Sequence, residues 1–366
     1  MAVVRSESSS RPPPERAAPT IDAGDLREFA AAVLQAHGMA GSDATRAADA
    51  MVWADLRGRY AQGTSSKLPQ CVARMKAGGT STSGELPVVA ETSATFVLDG
   101  RHAWGQIAAS KAMMAAVEKA RSVGISVGVV RDCSSAAAMG YYPLLAVAEG
   151  MIGIALTNGP PLIAPSGGTT KLLGNQAHAI GCPANRHHPI VYDAATTAMS
   201  TSEMDLFHER GELLPEGVLY TADGTPTRDP SLWVDGLLAP AGGHRGYGLS
   251  LMFEILTGVL AGGPRLAPDV GHPFESREPQ GVALFVVAID PEHSIGYEEL
   301  TRRVDSLIDR LHASGTAPGI ERIYVPGERS FILAEKRERD GIPMPTGRLA
   351  HLRRIGSESG LTLTSR

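Results

Sequence analysis

Cysteine is scarce: Cys71, Cys133 and Cys182 are the only three in 366 residues. An odd number with no CxxC or Cys/His spacing excludes a disulfide framework and offers no ligand pattern for a structural zinc. A reducing, cytoplasmic setting is expected. No apolar run approaches the about 18 residues that a membrane-spanning helix needs. The start, MAVVRSESSSRPPPERAAPT, has Arg, Glu, Ser and three consecutive prolines where a signal peptide has an apolar core. Residues 1–20 are therefore read as a disordered arm. Excess positive charge is missing too. With 34 Lys and Arg against 39 Asp and Glu, the net charge is −5 and both signs are interspersed. That excludes the basic stripe which nucleic acid or an anionic membrane requires, and leaves small molecules as the expected partners. Four motifs are absent as well: GxGxxG between a strand and a helix, GxxxxGK[ST], HExxH and GxSxG. A Rossmann dehydrogenase, a P-loop nucleotidase, a zincin and an α/β-hydrolase all lose their signatures.

A chain of this length exceeds what a single core comfortably fills, so two lobes are expected. Two helices come first, DLREFAAAVLQAH and, with Ser42 as the expected N-cap, ATRAADAMVWADLR. The loop-rich GRYAQGTSSKLPQ and a short helix follow. Strand-like ATFVLDG, ISVGVVRD and IGIALTNG then alternate with helix-like segments, which implies a sheet with helices packed on it. The segment GYGLSLMFEILTGVLAGG is apolar almost all round and reads as a buried helix, followed by the strand GVALFVVAID and the amphipathic YEELTRRVDSLIDRLHAS. The expected class is α/β. A helical segment with a substrate-side loop spans 21–90, a central α/β domain spans 91–295, and C-terminal helices and a strand over 296–366 return to the first lobe.

The strand-to-helix turn DCSSAAAMGYY contains six consecutive small residues, Cys133 to Ala138. Such a turn exposes backbone N–H groups, and small side chains let a planar or anionic ligand approach them. The alternative is that Ser134 and Ser135 cap the helix while the alanines pack against the sheet. His187-His188, adjacent and on opposite faces, make a poor bidentate metal site, and no metal is expected.

Read in order, ADLRG, GYY, GMIGIALTN, LLGNQAHAIGCP, VYDAATTAM, DGTPTRDP, GGHRGYGLSLMFEILTGVLAGG and VPGER strongly resemble the malate/L-lactate dehydrogenase family that is distinct from the Rossmann enzymes. This family includes sulfolactate and ureidoglycolate dehydrogenases and Δ1-piperideine-2-carboxylate reductase. The resemblance implies an unusual α/β fold with a mixed sheet and flanking helices, an obligate homodimer, and NADPH- or NADH-dependent hydride transfer at a carbonyl or imine carbon beside a carboxylate. It also assigns residues. The turn would line the nicotinamide cofactor through Ser135, Ala136, Ala137, Ala138 and Met139, with Ser135 at a position where the family usually has His. Asp193, Ala194 and Ala195, at a strand end, would contact the cofactor with backbone and small side chains. His244, Arg245 and Gly246 fall where the family approaches the cofactor, and Arg329 belongs to the PGER landmark. Arg245, with its planar fork, suits a phosphate or, equally, an internal ion pair, whereas His244 alone reads as a loop histidine.

The substrate side departs from the family. Its usual Ser-His-Gly, which carries the acid imidazole, is replaced by Ala61-Gln62-Gly63, and Lys67 stands near the position of the Arg that grips the substrate carboxylate. Glu203 aligns with the carboxylate that completes the family's relay; it would pair with the substrate nitrogen or with Lys67, or else lie solvated at the start of a loop. Asn175-Gln176-Ala177 replaces Thr-Asn-Pro, leaving Asn175 as a substrate contact. The catalytic candidates are thus Gln62, Lys67 and Glu203. Those for substrate binding are Lys67, Asn175 and Gln62. A ketone needs a proton as hydride arrives, and a positioned acid contributes about 10²–10⁴ in rate; an iminium ion is already protonated. Loss of both imidazoles therefore points to an imine, or to another acid, in a specialised biosynthetic enzyme. The alternatives are non-redox chemistry on a bound nicotinamide (cyclisation, elimination or isomerisation) and a catalytically inactive homologue.

Overall fold

The computed structural model of the chain describes residues 18–365. Three helices open it: α1 (Ala23–Ala36), α2 (Gly41–Leu56) and α3 (Thr64–Ala77). Asp22 caps α1 by accepting the Gly24 N–H at 2.8 Å. The i, i+3, i+4 stripe Leu26, Phe29, Ala30, Val33 and Leu34 turns inward and is buried. The expected N-cap of α2, Ser42, lies inside the helix instead; Ala40 occupies the cap without a side-chain bond. Strand β1 (Thr20–Ile21) pairs with β12 (Ile342–Pro343), so Thr20 belongs to a sheet and not to an arm, the rest of which lies outside the described residues. One core joins this layer to α10 (Thr346–Glu358) through Leu349, Leu352 and Ile355.

The main sheet has seven strands in the order β2 (Val88–Glu91), β3 (Thr95–Asp99), β4 (Ile125–Cys133), β11 (Val282–Ile289), β5 (Ile152–Thr157), β6 (His178–Cys182) and β7 (Ile190–Ala194). Only β3 and β4 run parallel, connected by the crossover helix α4 (Gly105–Val123); the other neighbours are antiparallel. The central strand β11, VALFVVAI, is buried on both faces, as its unbroken apolar run requires. Gly128 in β4 makes room for Phe96, whose ring would lie 2.1 Å from any Cβ there. Helices α4 and α5 (Tyr141–Ala148) cover one face. A three-stranded unit of β8 (Leu219–Tyr220), β9 (Pro226–Thr227) and β10 (Leu237–Leu238) packs with α6 (Thr201–Arg210) through Met204, Leu219 and Leu238.

The other face is covered by α7 (His244–Glu254) and the π-helical turn Ile255–Val259 that continues it. Phe253, Leu256 and Ala261 pack on Val129, Leu156 and Phe285. The expected all-round burial of this helix does not hold within the chain. Leu249, Met252, Ile255, Val259 and Leu260 point outward and are 41–53% exposed. Helix α8 (Tyr297–His312) packs Val304 and Ile308 near Cys182 and Ile190 at the sheet edge, and α9 (Glu328–Asp340) runs back to the helical layer, where Ala334 joins its core.

Candidate active site

Backbone contacts from three directions hold the small-residue turn after β4. Gly105, opening α4, packs so closely that a Cβ would stand 2.1 Å from the Ser134 carbonyl oxygen. Its N–H donates to Ser134 Oγ at 2.9 Å. The Ser135 N–H donates to Gln280 Oε1 at 2.9 Å, and the Tyr142 hydroxyl donates to the Ala136 carbonyl. Ala137 sits at φ 60°, a left-handed conformation that costs an alanine about 1–2 kcal/mol and persists because its surroundings fix it. Neither serine caps α5, whose N-cap is Gly140. The side chains of Ala136, Ala138 and Met139 point into the core, while Ser135 and Ala137 stay half-exposed. Only those two side chains and the backbone are left to meet a ligand.

Asp193, at the end of β7, joins this turn to the helical layer. Its Oδ2 accepts the Gly140 N–H at 2.9 Å and pairs with Arg59 Nη1 at 2.6 Å. Burial raises the pKa of this carboxyl, while Arg59 and the Gly140 N–H pull the other way. The Asp193 side chain is therefore a clamp, and the surface beyond it comes from half-buried Ala194 and Ala195. Three residues after Asp193, the Thr196 N–H and Oγ1 both donate to the Asn175 carbonyl, at 2.8 and 2.9 Å. The Thr196 carbonyl accepts the Ala241 N–H at 2.8 Å, and a Cβ on Gly246 would lie 2.4 Å from the Ala241 oxygen. His244 and Arg245 open α7 beside this strand end, both exposed.

On the substrate side, GTSSKLPQ forms the first turns of α3 where a loop was expected. The cap is not local. Buried Asp55, nine residues upstream, accepts the Thr64 N–H at 2.7 Å, and its backbone oxygen accepts from Arg337 Nη1 at 2.6 Å. Burial pushes the Asp55 carboxyl up to about 6, against the Thr64 hydrogen bonds and the charges of Arg337 and Arg348. Gly63 is obligatory there, because a Cβ would stand 1.9 Å from Asp55 Oδ1. Lys67 follows on α3. Its Nζ donates to Gln70 Oε1 at 2.9 Å, and Gln70 is itself fixed by donating to the Pro273 carbonyl at 2.6 Å. Among the described residues Lys67 has no carboxylate partner, and burial lowers its amine to about 8. Gln62 lies half-buried in the turn before α3. The segment 271–280 spans the two sides, accepting from Gln70 at Pro273 and from the Ser135 N–H at Gln280.

Two candidates take unexpected places. Glu203 is exposed in a capping box at the start of α6, its Oε2 accepting from Ser200 N and Oγ at 3.1 and 2.8 Å, so the structure does not bring it to Lys67. Asn175 is half-buried beside Gln176, which stands at φ 36° and is fully buried. Gln176 Nε2 donates to Glu254 Oε2 at 2.8 Å, and Glu254 Oε1 accepts the Ala267 N–H at 2.8 Å. Asp55, Arg57, Arg59 and Glu254 were not singled out from sequence. A lone Glu in the apolar run of α7 was the one visible signal for the last.

A cleft of about 410 Å³ opens beside Asp193, between the end of α2 and the start of α9. Trp53, Arg57, Arg59, Tyr324, Arg329 and Phe331 are among its lining residues, which brings the predicted Arg329 to the same place as Asp193. The start of α9 is seated on β7: the Val191 N–H donates to the Pro326 carbonyl at 3.1 Å, and Gly327, at φ 90°, allows the close approach. A small-residue turn at one end and an arginine-rich, aromatic-walled cleft at the other fit a nicotinamide dinucleotide.

The sequence profile of the malate/L-lactate dehydrogenase family matches residues 21–353. The chain belongs to this family. It is 35% identical over 345 residues to a malate dehydrogenase of Pyrococcus abyssi, covering 92% of this chain and 94% of that one. A Δ1-pyrroline-2-carboxylate reductase of Ancylobacter novellus is 32% identical over 275 residues, covering 74% and 79%. The solved sulfolactate dehydrogenase of Methanocaldococcus jannaschii superposes with a TM-score of 0.87 at 33% identity, over 94% of this chain and 98% of that one. This family member is an NAD(P)H-dependent oxidoreductase on a mixed α/β fold. No helix among its described residues is long and apolar enough to cross a membrane.

Proposed function

We propose that this enzyme reduces a carboxylated C=N bond, in a cyclic imine, or a related 2-oxo acid, as a homodimer in a specialised biosynthetic pathway. One observation carries the reading. Where the family has its acid imidazole, this chain has the amide of Gln62 and, five residues on, the Lys67 amine, which has no carboxylate partner among the described residues and whose pKa burial lowers to about 8. The relatives include both malate and sulfolactate dehydrogenases and Δ1-pyrroline-2-carboxylate reductases, so both substrate classes lie within the family's reach.

The bound nicotinamide supplies the hydride. Lys67, as ammonium, neutralises the substrate carboxylate and is the group able to yield a proton near neutral pH. With a 2-oxo acid, hydride adds to carbon, the Lys67 proton goes to the oxygen, and solvent reprotonates the amine. An iminium needs no such proton, since hydride addition leaves a neutral amine; Gln62 and Asn175 then serve only to orient it through hydrogen bonds. Backbone atoms of the small turn would hold the cofactor ring, with Ser135 and Ala137 small enough to leave room for it. The test compares kcat/KM for Δ1-pyrroline-2-carboxylate and Δ1-piperideine-2-carboxylate with that for pyruvate and oxaloacetate. Higher values for an imine are expected. A 2-oxo acid exceeding every imine would overturn the imine reading and leave the oxidoreductase intact.

A further inference from the structure

Asn175 combines a fixed backbone with an unengaged side chain. Its carbonyl accepts from both the N–H and the Oγ1 of Thr196, whereas its half-buried amide makes no hydrogen bond among the described residues. The residues on either side hold it in place. A Cβ on Gly174 would lie 2.6 Å from the Gly159 oxygen, so the two backbones touch there. Buried Ser250 donates to the Gly174 carbonyl at 3.0 Å. One helical turn further along α7 and on the same face, Glu254 accepts from Gln176 Nε2 at 2.8 Å.

Stability alone does not call for this frame. Gln176 stands at φ 36°, a left-handed conformation that a residue with a Cβ enters only at a cost. Glu254 is 4% exposed, and the donors that reach it are neutral: Gln176 Nε2, the Ala267 N–H at 2.8 Å and Asn158 Nδ2 at 3.4 Å. A buried carboxyl with no cation beside it is destabilising relative to a well-packed apolar side chain of similar volume. Yet the surroundings are shaped to receive it. A Cβ on Gly258, in the π-helical turn that follows, would stand 2.3 Å from Glu254 Oε1, and such turns recur at functional sites. Asn158 is oriented in its turn, with Oδ1 accepting the Ala283 N–H at 2.8 Å. Strain and a buried carboxyl thus converge on the one loop whose side-chain amide is left unengaged.

Resting on the reading that Asn175 orients the substrate, we infer that Glu254 is a positioning residue, which through Gln176, and with Ser250 beside it, fixes the peptide that presents the Asn175 amide. Steady-state kinetics on the preferred imine or 2-oxo acid, arranged as a double-mutant cycle, test this. Asn175→Ala should raise KM about tenfold. Glu254→Gln keeps the size but turns one acceptor oxygen into a donor, against either Gln176 or Ala267. It too should raise KM about tenfold, with kcat and the affinities for NADPH and NADH within about threefold of native, which also shows that the variant is folded. In the Asn175→Ala background the same substitution should change KM by less than about twofold, because the group it positions is already gone. A merely structural role would give the same factor in both backgrounds. Ser250→Ala, which removes only the bond to Gly174, provides the comparison if Glu254→Gln does not fold, with an expected rise in KM of about threefold. Equal factors in the two backgrounds, or weakened cofactor binding with KM unchanged, would overturn the inference and keep the reading of Asn175. An unchanged KM in Asn175→Ala would overturn both.

Discussion

At the scale of single residues, the informative substitution is Lys67. Burial penalises the charge of this half-buried amine and lowers its pKa to about 8, with no carboxylate partner among the described residues to compensate. Since the protonated form both holds the carboxylate and yields the proton, kcat/KM for a 2-oxo acid should be level below about pH 8 and fall about tenfold per unit above it. Lys67→Arg keeps the charge at any working pH but surrenders no proton. The descending limb should then vanish, with the 2-oxo acid rate down by about 10²–10⁴ and the imine rate far less affected. Lys67→Met should weaken binding of both substrates. An unchanged limb near pH 8 in Lys67→Arg would show that another group titrates.

At the scale of elements, α3 shows how a helix can be invisible in its own sequence. Its N-terminus has Gly63 in place of a capping side chain, and the acceptor for the Thr64 N–H comes from Asp55 on α2. Gly63→Ala would put a methyl 1.9 Å from Asp55 Oδ1. It should cost about 1–3 kcal/mol in chemical denaturation and raise KM by displacing Lys67. Gly347→Ala in α10 meets nothing within 4 Å and should be neutral or stabilising by about 0.5–1 kcal/mol. Equal losses for the two would mean that backbone freedom, and not the Asp55 contact, sets the cost. What was legible in sequence follows the same division. Strand and helix alternation, the amphipathic α8 and the small-residue turn depend on local pattern and could be read. The α3 cap, the Asp193 clamp onto Arg59 and the Glu254 support of Gln176 join residues 9, 134 and 78 positions apart, so no local spacing announces them. Glu203 misled for the opposite reason, since its position fits a relay while a capping box with Ser200 engages its carboxylate.

At the scale of the whole molecule, α7 was read as buried from an apolar composition that the single chain does not bury. Phe253 and Leu256 face the sheet, but Leu249, Met252, Ile255, Val259 and Leu260 form a continuous outward stripe. His178 packs on both Phe253 and Tyr192, so the stripe approaches the outer face of the last two strands, where Ile180 and Tyr192 are 43% and 47% exposed. Apolar patches of this extent mark interaction surfaces, and a second copy of the chain is the occupant that the proposed homodimer requires. Light scattering should give about twice the 38.4 kDa chain mass for the native protein. Met252→Arg combined with Val259→Arg would set like charges against each other across a two-fold interface and should return the mass to that of one chain. A native protein already monomeric at micromolar concentration would overturn the dimer. The double variant also separates two roles of the interface. Because α7 begins with His244 and Arg245 beside the Asp193–Thr197 strand end, loss of cofactor binding in a folded monomer would mean that the partner completes or props the cofactor site. Unchanged binding would confine the interface to stability.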